Sequence, residues 1–231
     1  MNAQDALKLA RRFIELPLQK RQLFIKGLRQ EGVEFSVFPI PQSVAAEDRD
    51  ALSYAQQRMW FLWQLDPHSA AYNLPGAVRL RGVLDDAAVE GAFASLIQRH
   101  ETLRTVFERR SDDSLHQVPC EVPLVISRED FTSLPEGERE VRALDEATRQ
   151  AAEPFDLGRG PLLRVKLLKL APDEHVLLLT LHHIVSDGWS MNVLIDEFTR
   201  FYDGHQQGRP AQLPPLAIQY SDYALWQRRW L

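Results

Sequence analysis

The hydrophobic positions follow two different repeats along this chain, and together they predict an α/β protein. An unbroken apolar run over residues 175–183 predicts a central strand buried on both faces, and alternating positions over 162–170 predict a half-buried strand. Shorter strands are predicted over 76–82, 103–108, 115–119 and 123–128. Apolar positions three or four residues apart predict helices over 53–65, 135–152, 189–202 and 218–231, and another that begins near Asp85. Helices that alternate with strands, some of them in hairpins, predict an α+β sandwich with a mixed β-sheet flanked by helices.

The first 30 residues predict two short helices that form a leader. Leu7, Ala10 and Ile14 recur at helical spacing, and Pro17 separates the two helices. Residues 31–51 contain Pro39 and Pro41 and predict an extended linker. We therefore expect a helical leader over 1–40 and a second unit over 41–231. Residues 1–30 carry a net charge of +5, which favours a solvated helical face, with a docking element for an acidic partner as the alternative.

Composition and charge narrow the class of protein. With 45% hydrophobic and 26% charged residues in 231, the chain has the composition of a globular protein. A net charge of −5 argues against nucleic-acid binding, and no apolar run reaches the roughly 20 residues that cross a bilayer, so we expect no membrane partner. Cys120 is the single cysteine, which excludes an internal disulfide. We expect Cys120 to be buried and the protein to occupy a reducing compartment, the cytoplasm.

The candidate chemistry lies where the buried strand ends, in the segment LHHIVSDGW at 181–189. Catalytic groups of α/β proteins commonly follow the carboxyl ends of strands. His182 and His183 point to opposite faces of the strand, so they cannot both bind one metal ion or one substrate. Simpler interpretations stay open: a core histidine, Asp187 as a helix cap, and turn roles for Ser186 and Gly188.

Other site classes find little support in the sequence. No third ligand at metal spacing accompanies His182, His183 and Asp187, so a metal site is weakly supported. The chain has no G-x-S-x-G segment, which argues against a serine hydrolase, and no G-x-G-x-x-G segment, which argues against a dinucleotide site.

Four segments in order resemble one family. HHIVSDG at 182–188 resembles the HHxxxDG motif of condensation domains in nonribosomal peptide synthetases. Three further segments resemble that family's other motifs: SYAQQRMWFL at 53–62, RHETLRTVF at 99–107 and YSDYALWQ at 220–227. The resemblance covers residues 52–227, and the leader resembles those of siderophore-type synthetases.

The resemblance implies a fold, an activity and partners. The fold is similar to chloramphenicol acetyltransferase, with two lobes and a tunnel between them. The activity is peptide-bond formation between a donor thioester and an acceptor amine, each carried by a carrier protein. Phosphopantetheine arms of the donor and acceptor carriers are then substrates, and no tightly bound cofactor or metal is implied.

The resemblance also implies roles for individual residues. His183 faces the tunnel and acts on the amine; strand alternation puts it on the face of Leu179 and Leu181. The backbone N–H of Gly188, at a predicted helix start, favours an oxyanion. Structural support is expected from the remaining motif residues: His182 through a hydrogen bond, Asp187 through an ion pair with Arg104, and Arg99 in the same core.

The chain ends soon after the fourth motif, whereas the family's domains have a second lobe of similar size. We therefore expect an N-terminal lobe whose C-terminal lobe is missing, and a fragment that is inactive alone. Two alternatives remain: another acyltransferase that uses HHxxxDG, and a non-catalytic fragment that docks a carrier or a preceding synthetase subunit through residues 1–30.

Overall fold

A computed structural model describes residues 2–34, 38–43, 50–119, 122–209 and 211–230. Cys120 and parts of the predicted linker, 35–37 and 44–49, lie outside the described residues. The helices are α1 Ala3–Glu15, α2 Leu18–Gln30, α3 Tyr54–Leu65, α4 Asp86–Arg99, α5 Glu136–Ala152, α6 Gly188–Gln206 and α7 Tyr220–Trp230. The strands are β1 Asn73–Arg81, β2 Thr105–Arg109, β3 Leu115–Pro119, β4 Ile126–Asp130, β5 Leu163–Ala171 and β6 Glu174–His182. Of the helices so described, none combines the length and apolar character needed to span a membrane.

The predicted helices and strands are confirmed, with one change of type. The strand predicted from residue 103 begins as a short 3-10 helix, Glu101–Arg104, and becomes β2 only at Thr105. Local hydrophobicity cannot separate these two because a short 3-10 helix and a strand can each bury an apolar side chain, as the 3-10 helix does with Leu103. Leu103 of this turn packs in the same core as Leu194 of α6, the helix that follows the histidines.

The main sheet has the strand order β1-β6-β5-β4 and is mixed, as predicted. β6 runs antiparallel to β1 and β5, and β4 runs parallel to β5. One face of β6, with Leu177, Leu179 and Leu181, packs in the core formed with α4 and α6. The other face, with Val176 and Leu178, packs in a second core that includes Ala143 of α5 and Phe131. The prediction of a central strand buried on both faces is therefore confirmed.

The prediction that β5 is half-buried is wrong. Lys166 lies on its expected polar face but is only 8% exposed. Its ammonium group lies 2.6 Å from a carboxylate oxygen of Glu129 and 2.7 Å from one of Glu146. Hydrogen bonds from Arg149 and Lys166 lower the pKa of the Glu146 carboxyl to about 2. Two partners distant in sequence therefore let a charged residue occupy a covered face.

The chain divides into two compact units, Met1–Tyr54 with Leu216–Leu231, and Ala55–Pro215. In the first unit, the rings of Phe13 in α1 and Phe24 in α2 lie 5.8 Å apart. The Nε of Arg21 donates to the carbonyl oxygen of Leu16 at 2.9 Å, and another guanidinium nitrogen donates to the carbonyl of Arg229 in α7. The last helix thus packs with the leader, while the predicted domain boundary at residue 40 stays a prediction.

Candidate active site

The turn between β6 and α6 is fixed by backbone hydrogen bonds. The N–H of His183 donates to the carbonyl of Tyr72 at 2.8 Å, just before β1, and the N–H of Val185 donates to the carbonyl of His182 at 3.1 Å. The central strand therefore delivers the two histidines to a turn of defined shape.

His183 is exposed, and its ring is oriented by the same turn. Its Nδ1 lies 2.8 Å from the carbonyl oxygen of Ser186. A carbonyl oxygen can only accept a hydrogen bond, so Nδ1 carries the hydrogen and Nε2 of the neutral ring keeps its lone pair. Because β6 ends at His182, His183 lies beyond the strand and does not share the burial of Leu179 and Leu181. The turn thus presents a base, Nε2, outside the core.

His182 has the opposite surroundings. It is 3% exposed, and its Nδ1 accepts a hydrogen bond from the N–H of Ile184 at 3.1 Å. The ring of Phe155 meets it edge-on at 6.1 Å. Burial, and then the neighbouring His183, lower the pKa of His182 to about 4, so it is neutral at pH 7. His182 therefore supports the turn from the inside.

Asp187 caps α6. Its Oδ1 accepts from the N–H of Ser190 at 2.8 Å and from the hydroxyl of Ser190 at 2.6 Å. These hydrogen bonds lower the pKa of the Asp187 carboxyl. Asp187 and Arg104 are both described, and they form no ion pair; the expected pairing is wrong because the carboxylate is already used by the helix start.

Gly188 is the first residue of α6, a helix of 19 residues. Among the described residues, its N–H has no acceptor. A Cβ added at this position would meet nothing within 4 Å, so open space lies in front of the glycine. An unpaired N–H at a helix start lies in a field that favours negative charge.

The two arginines of the 99–107 segment have different surroundings. The Nε of Arg99 lies 3.1 and 3.0 Å from the two carboxylate oxygens of Glu197 in α6, and His100 Nε2 lies 2.7 Å from the same group. Arg104 instead lines a groove of about 810 Å3 beside α4. Arg99 therefore joins the end of α4 to α6, as an organiser of the core beneath the site.

Sequence reasoning missed Glu197, Tyr72 and the main role of Ser186. Glu197 carried a usable signal, since it lies between the buried Leu194 and Phe198 on the inner face of α6. A buried acid on an apolar helix face requires a cationic partner. Tyr72 and Ser186 act through backbone carbonyls, which residue identity does not reveal.

In the part of the chain that the structure describes, no three His, Cys, Asp or Glu side chains are grouped to hold a metal ion.

The sequence matches one family over most of its length. A family model described as "Condensation domain" matches residues 46–231. One of the proteins that make up linear gramicidin synthase in Brevibacillus parabrevis is 47% identical over 195 residues, which are 84% of this chain and 2% of that protein. Phosphinothricin tripeptide synthetase PhsC of Streptomyces viridochromogenes is 37% identical over 223 residues, which are 96% of this chain and 20% of that protein.

Solved structures with the same fold include two condensation domains. The starter condensation domain of rhizomide synthetase RzmA aligns with a TM-score of 0.67 at 28% identity, over 71% of this chain and 40% of that one. The first condensation domain of the calcium-dependent antibiotic synthetase, in complex with a substrate analogue, aligns with a TM-score of 0.65 at 26% identity, over 71% of this chain and 39% of that one. The chain therefore spans a small part of these synthetases and about two fifths of these solved chains.

Proposed function

This chain belongs to the condensation domain family, and we propose that it takes part in peptide-bond formation between a donor acyl or peptidyl thioester and an acceptor aminoacyl thioester. The observation that carries the proposal is the geometry of His183. Its Nδ1–H is held by the Ser186 carbonyl, and Nε2 of this exposed residue keeps a lone pair.

The reaction makes one bond and breaks one. The acceptor amine attacks the thioester carbonyl carbon, which gives a tetrahedral intermediate with a negative oxygen. The carbon–sulfur bond then breaks, and the released thiol takes up the proton that the amine loses. A free α-amino group has a pKa of about 8, so a useful fraction is neutral at pH 7. His183 Nε2 holds the amine, accepts its proton as the carbon–nitrogen bond forms, and passes that proton to the departing thiolate.

Gly188 provides the donor for the negative oxygen. Its N–H has no acceptor in the described structure, and a Cβ at this position would meet nothing within 4 Å. Backbone donors aimed at a developing oxyanion commonly contribute a few kcal/mol to catalysis. His183 and Gly188 are thus the catalytic pair of the proposal, while His182, Asp187 and Arg99 position them and Arg104 lies apart from them.

The substrates belong to the same proposal. Phosphopantetheine arms of a donor and an acceptor carrier protein bring the two thioesters, and no tightly bound cofactor is required. The single cysteine is compatible with the cytoplasm as the compartment. A siderophore product stays a prediction.

Residues 1–30 offer a surface for a further partner, such as a preceding synthetase subunit. Six basic side chains of α1 and α2 are exposed: Lys8, Arg11, Arg12, Lys20, Lys26 and Arg29. The hydrophobic side chains of Leu18 and Leu23 are exposed beside them. Replacing Lys20 and Lys26 with Glu keeps Arg21, which supports α7, and should weaken binding of an acidic partner without unfolding the chain.

The direct test is peptide formation from loaded carriers. Donor and acceptor carriers are loaded with different amino acids and mixed with the 231-residue chain, or with a version extended by any sequence that follows it in the native protein. Dipeptide on the acceptor arm, detected by mass spectrometry, supports the proposal. Acyl transfer to a free alcohol or amine, with no dipeptide from any carrier pair, would favour another acyltransferase.

A further inference from the structure

A small cavity lies beside the histidine turn. Its volume is about 140 Å3. Leu103, Leu181 and Leu194 contribute apolar walls, Val193 lines it from α6, and none of its lining residues is Asp, Glu, Lys or Arg. An apolar protein cavity of about 150 Å3 is large enough to bind benzene. The cavity therefore suits an uncharged group the size of a branched aliphatic or phenyl side chain.

The wall next to the catalytic turn contains an unpaired hydroxyl. Ser186 lines the cavity, and its Oγ is buried with no hydrogen-bond partner in the described structure. An unpaired buried hydroxyl is unfavourable unless a ligand completes its hydrogen bonding. The carbonyl of the same residue holds His183 Nδ1 at 2.8 Å. One residue thus joins the cavity to the catalytic histidine.

A large, exposed aromatic ring lines the cavity. Trp189 lines the cavity, follows Gly188 directly, and is 78% exposed. An indole ring exposed beside a catalytic turn offers apolar contact area to a bound group. Because this ring is exposed, part of the cavity lining faces solvent.

Building on the proposed function, we propose that this cavity is a specificity subsite that receives an apolar side chain, about the size of that of leucine or phenylalanine, from one of the two aminoacyl groups being joined. The Ser186 hydroxyl bonds a polar atom of the same aminoacyl group. Acidic and basic side chains are disfavoured because no Asp, Glu, Lys or Arg lines the cavity, and its one lining histidine, His100, is already bonded to Glu197.

Binding can be measured without turnover. The probes are the N-acetylcysteamine thioesters of leucine and glycine, titrated into the 231-residue chain by NMR. Val193→Phe fills the cavity, and Thr199→Phe is the matched control because Thr199 is isosteric with valine and exposed on the same helix, outside the cavity. We expect Val193→Phe to weaken leucyl binding about tenfold and to leave glycyl binding within about twofold. Thr199→Phe should change neither.

A second variant covers the case in which Val193→Phe does not fold. Val193→Ala enlarges the cavity and should shift the preference from the leucyl to the phenylalanyl thioester. Equal binding of leucyl and glycyl probes by the unmodified chain would overturn the proposal. So would an unchanged order of preference in Val193→Ala.

Loaded carriers then identify which group enters the cavity. Leucine replaces glycine on the donor carrier alone or on the acceptor carrier alone, and rates are compared with and without Val193→Phe. Selective loss on one side assigns the cavity to that side. Peptide formation with an unchanged leucine-to-glycine ratio on both sides overturns the subsite and leaves the function intact. Absence of peptide from every pair with the version extended by its native downstream sequence overturns the function, and the thioester titration still decides the subsite.

Discussion

Ser186 serves the site with its carbonyl, while its hydroxyl has no partner inside the folded chain. The carbonyl accepts the hydrogen bond from His183, and Oγ is buried and unpaired among the described residues. A buried hydroxyl without a hydrogen-bond partner lowers the stability of the fold. A functional site can nevertheless keep such a group because the group binds a ligand. The turn is therefore a place where stability and activity should respond in opposite directions.

We predict that Ser186→Ala raises the free energy of unfolding by about 1 kcal/mol and lowers the rate with an apolar aminoacyl substrate. The backbone carbonyl is unchanged, so His183 keeps its orientation. Urea unfolding gives the stability. Ser190→Ala is the control, since the Ser190 hydroxyl is paired with Asp187 at 2.6 Å and its loss should destabilise. Equal destabilisation by both substitutions would contradict the account.

The lowered pKa of His182 predicts that the free energy of unfolding depends on pH. Burial lowers its folded pKa from 6.5 to about 4, so between these values the unfolded chain binds a proton that the folded chain does not. Protonation then favours unfolding, and stability falls as pH drops from 6.5 towards 4. The integrated loss from this group is about 3 kcal/mol.

The variant His182→Asn should flatten that dependence. Its side-chain oxygen can accept from the Ile184 N–H in place of Nδ1, but it does not titrate. Unfolding free energies of both proteins, measured in urea from pH 7 to pH 4, should diverge in slope below pH 6.5. The contribution of His175, whose pKa burial also lowers, is common to both proteins and cancels. Parallel slopes would show that His182 is not the group responsible.

At the scale of the elements, two charged contacts organise α6 differently. Asp187 caps the helix through Ser190, and Glu197 pairs with Arg99 at the end of α4. The first is local to one helix turn, and the second connects two helices. Removing them should therefore have different consequences for neighbouring residues.

Double-mutant cycles separate the two contacts. Asp187→Ala should cost about 1 kcal/mol through loss of the cap, and it should be additive with Arg104→Ala within about 0.5 kcal/mol. Arg99→Ala and Glu197→Ala should instead couple by about 1–3 kcal/mol. Urea unfolding of the single and double variants gives both energies. Strong coupling between Asp187 and Arg104 would contradict this account, because the structure shows no ion pair between these two described residues.

The elements that sequence predicts correctly are those that local patterns define. The apolar run of β6 and the helical spacing in α4 and α5 suffice because side-chain periodicity follows backbone geometry. The covered face of β5 was not predictable in this way. The buried Lys166 is paired with Glu129 and Glu146, which lie far from it in sequence. Local patterns contain no information on such pairings.

At the scale of the whole molecule, the four family segments belong to two compact units. In Met1–Tyr54 with Leu216–Leu231, the hydroxyl groups of Ser53 and Tyr220 lie 3.0 Å apart, which joins the start of the first segment to the last. In Ala55–Pro215, the second segment supports α6 through Arg99, and the third forms the histidine turn. The order of the segments along the chain was enough to identify the family. The hydrogen bonds between distant segments could be seen only in the structure.

The resemblance predicted that His183 acts on the amine, and the structure shows the surroundings of its ring. His183 and His182 are neighbours in sequence, yet one is exposed and the other is buried with a pKa of about 4. Strand alternation predicted that they differ. The Ser186 carbonyl, which determines the tautomer of His183, could not be predicted because any residue type supplies a carbonyl.

The measurement that tests the central claim most directly is the rate of dipeptide formation by His183→Ala beside His68→Ala. His68 is an exposed histidine outside the turn and provides the matched control. The assay uses loaded donor and acceptor carriers with the active form of the protein, and unfolding curves confirm that both variants fold. We predict a loss of about 100-fold or more in His183→Ala and an unchanged rate in His68→Ala. An unchanged rate in folded His183→Ala would contradict the assignment of His183 as the group that holds the amine and accepts its proton.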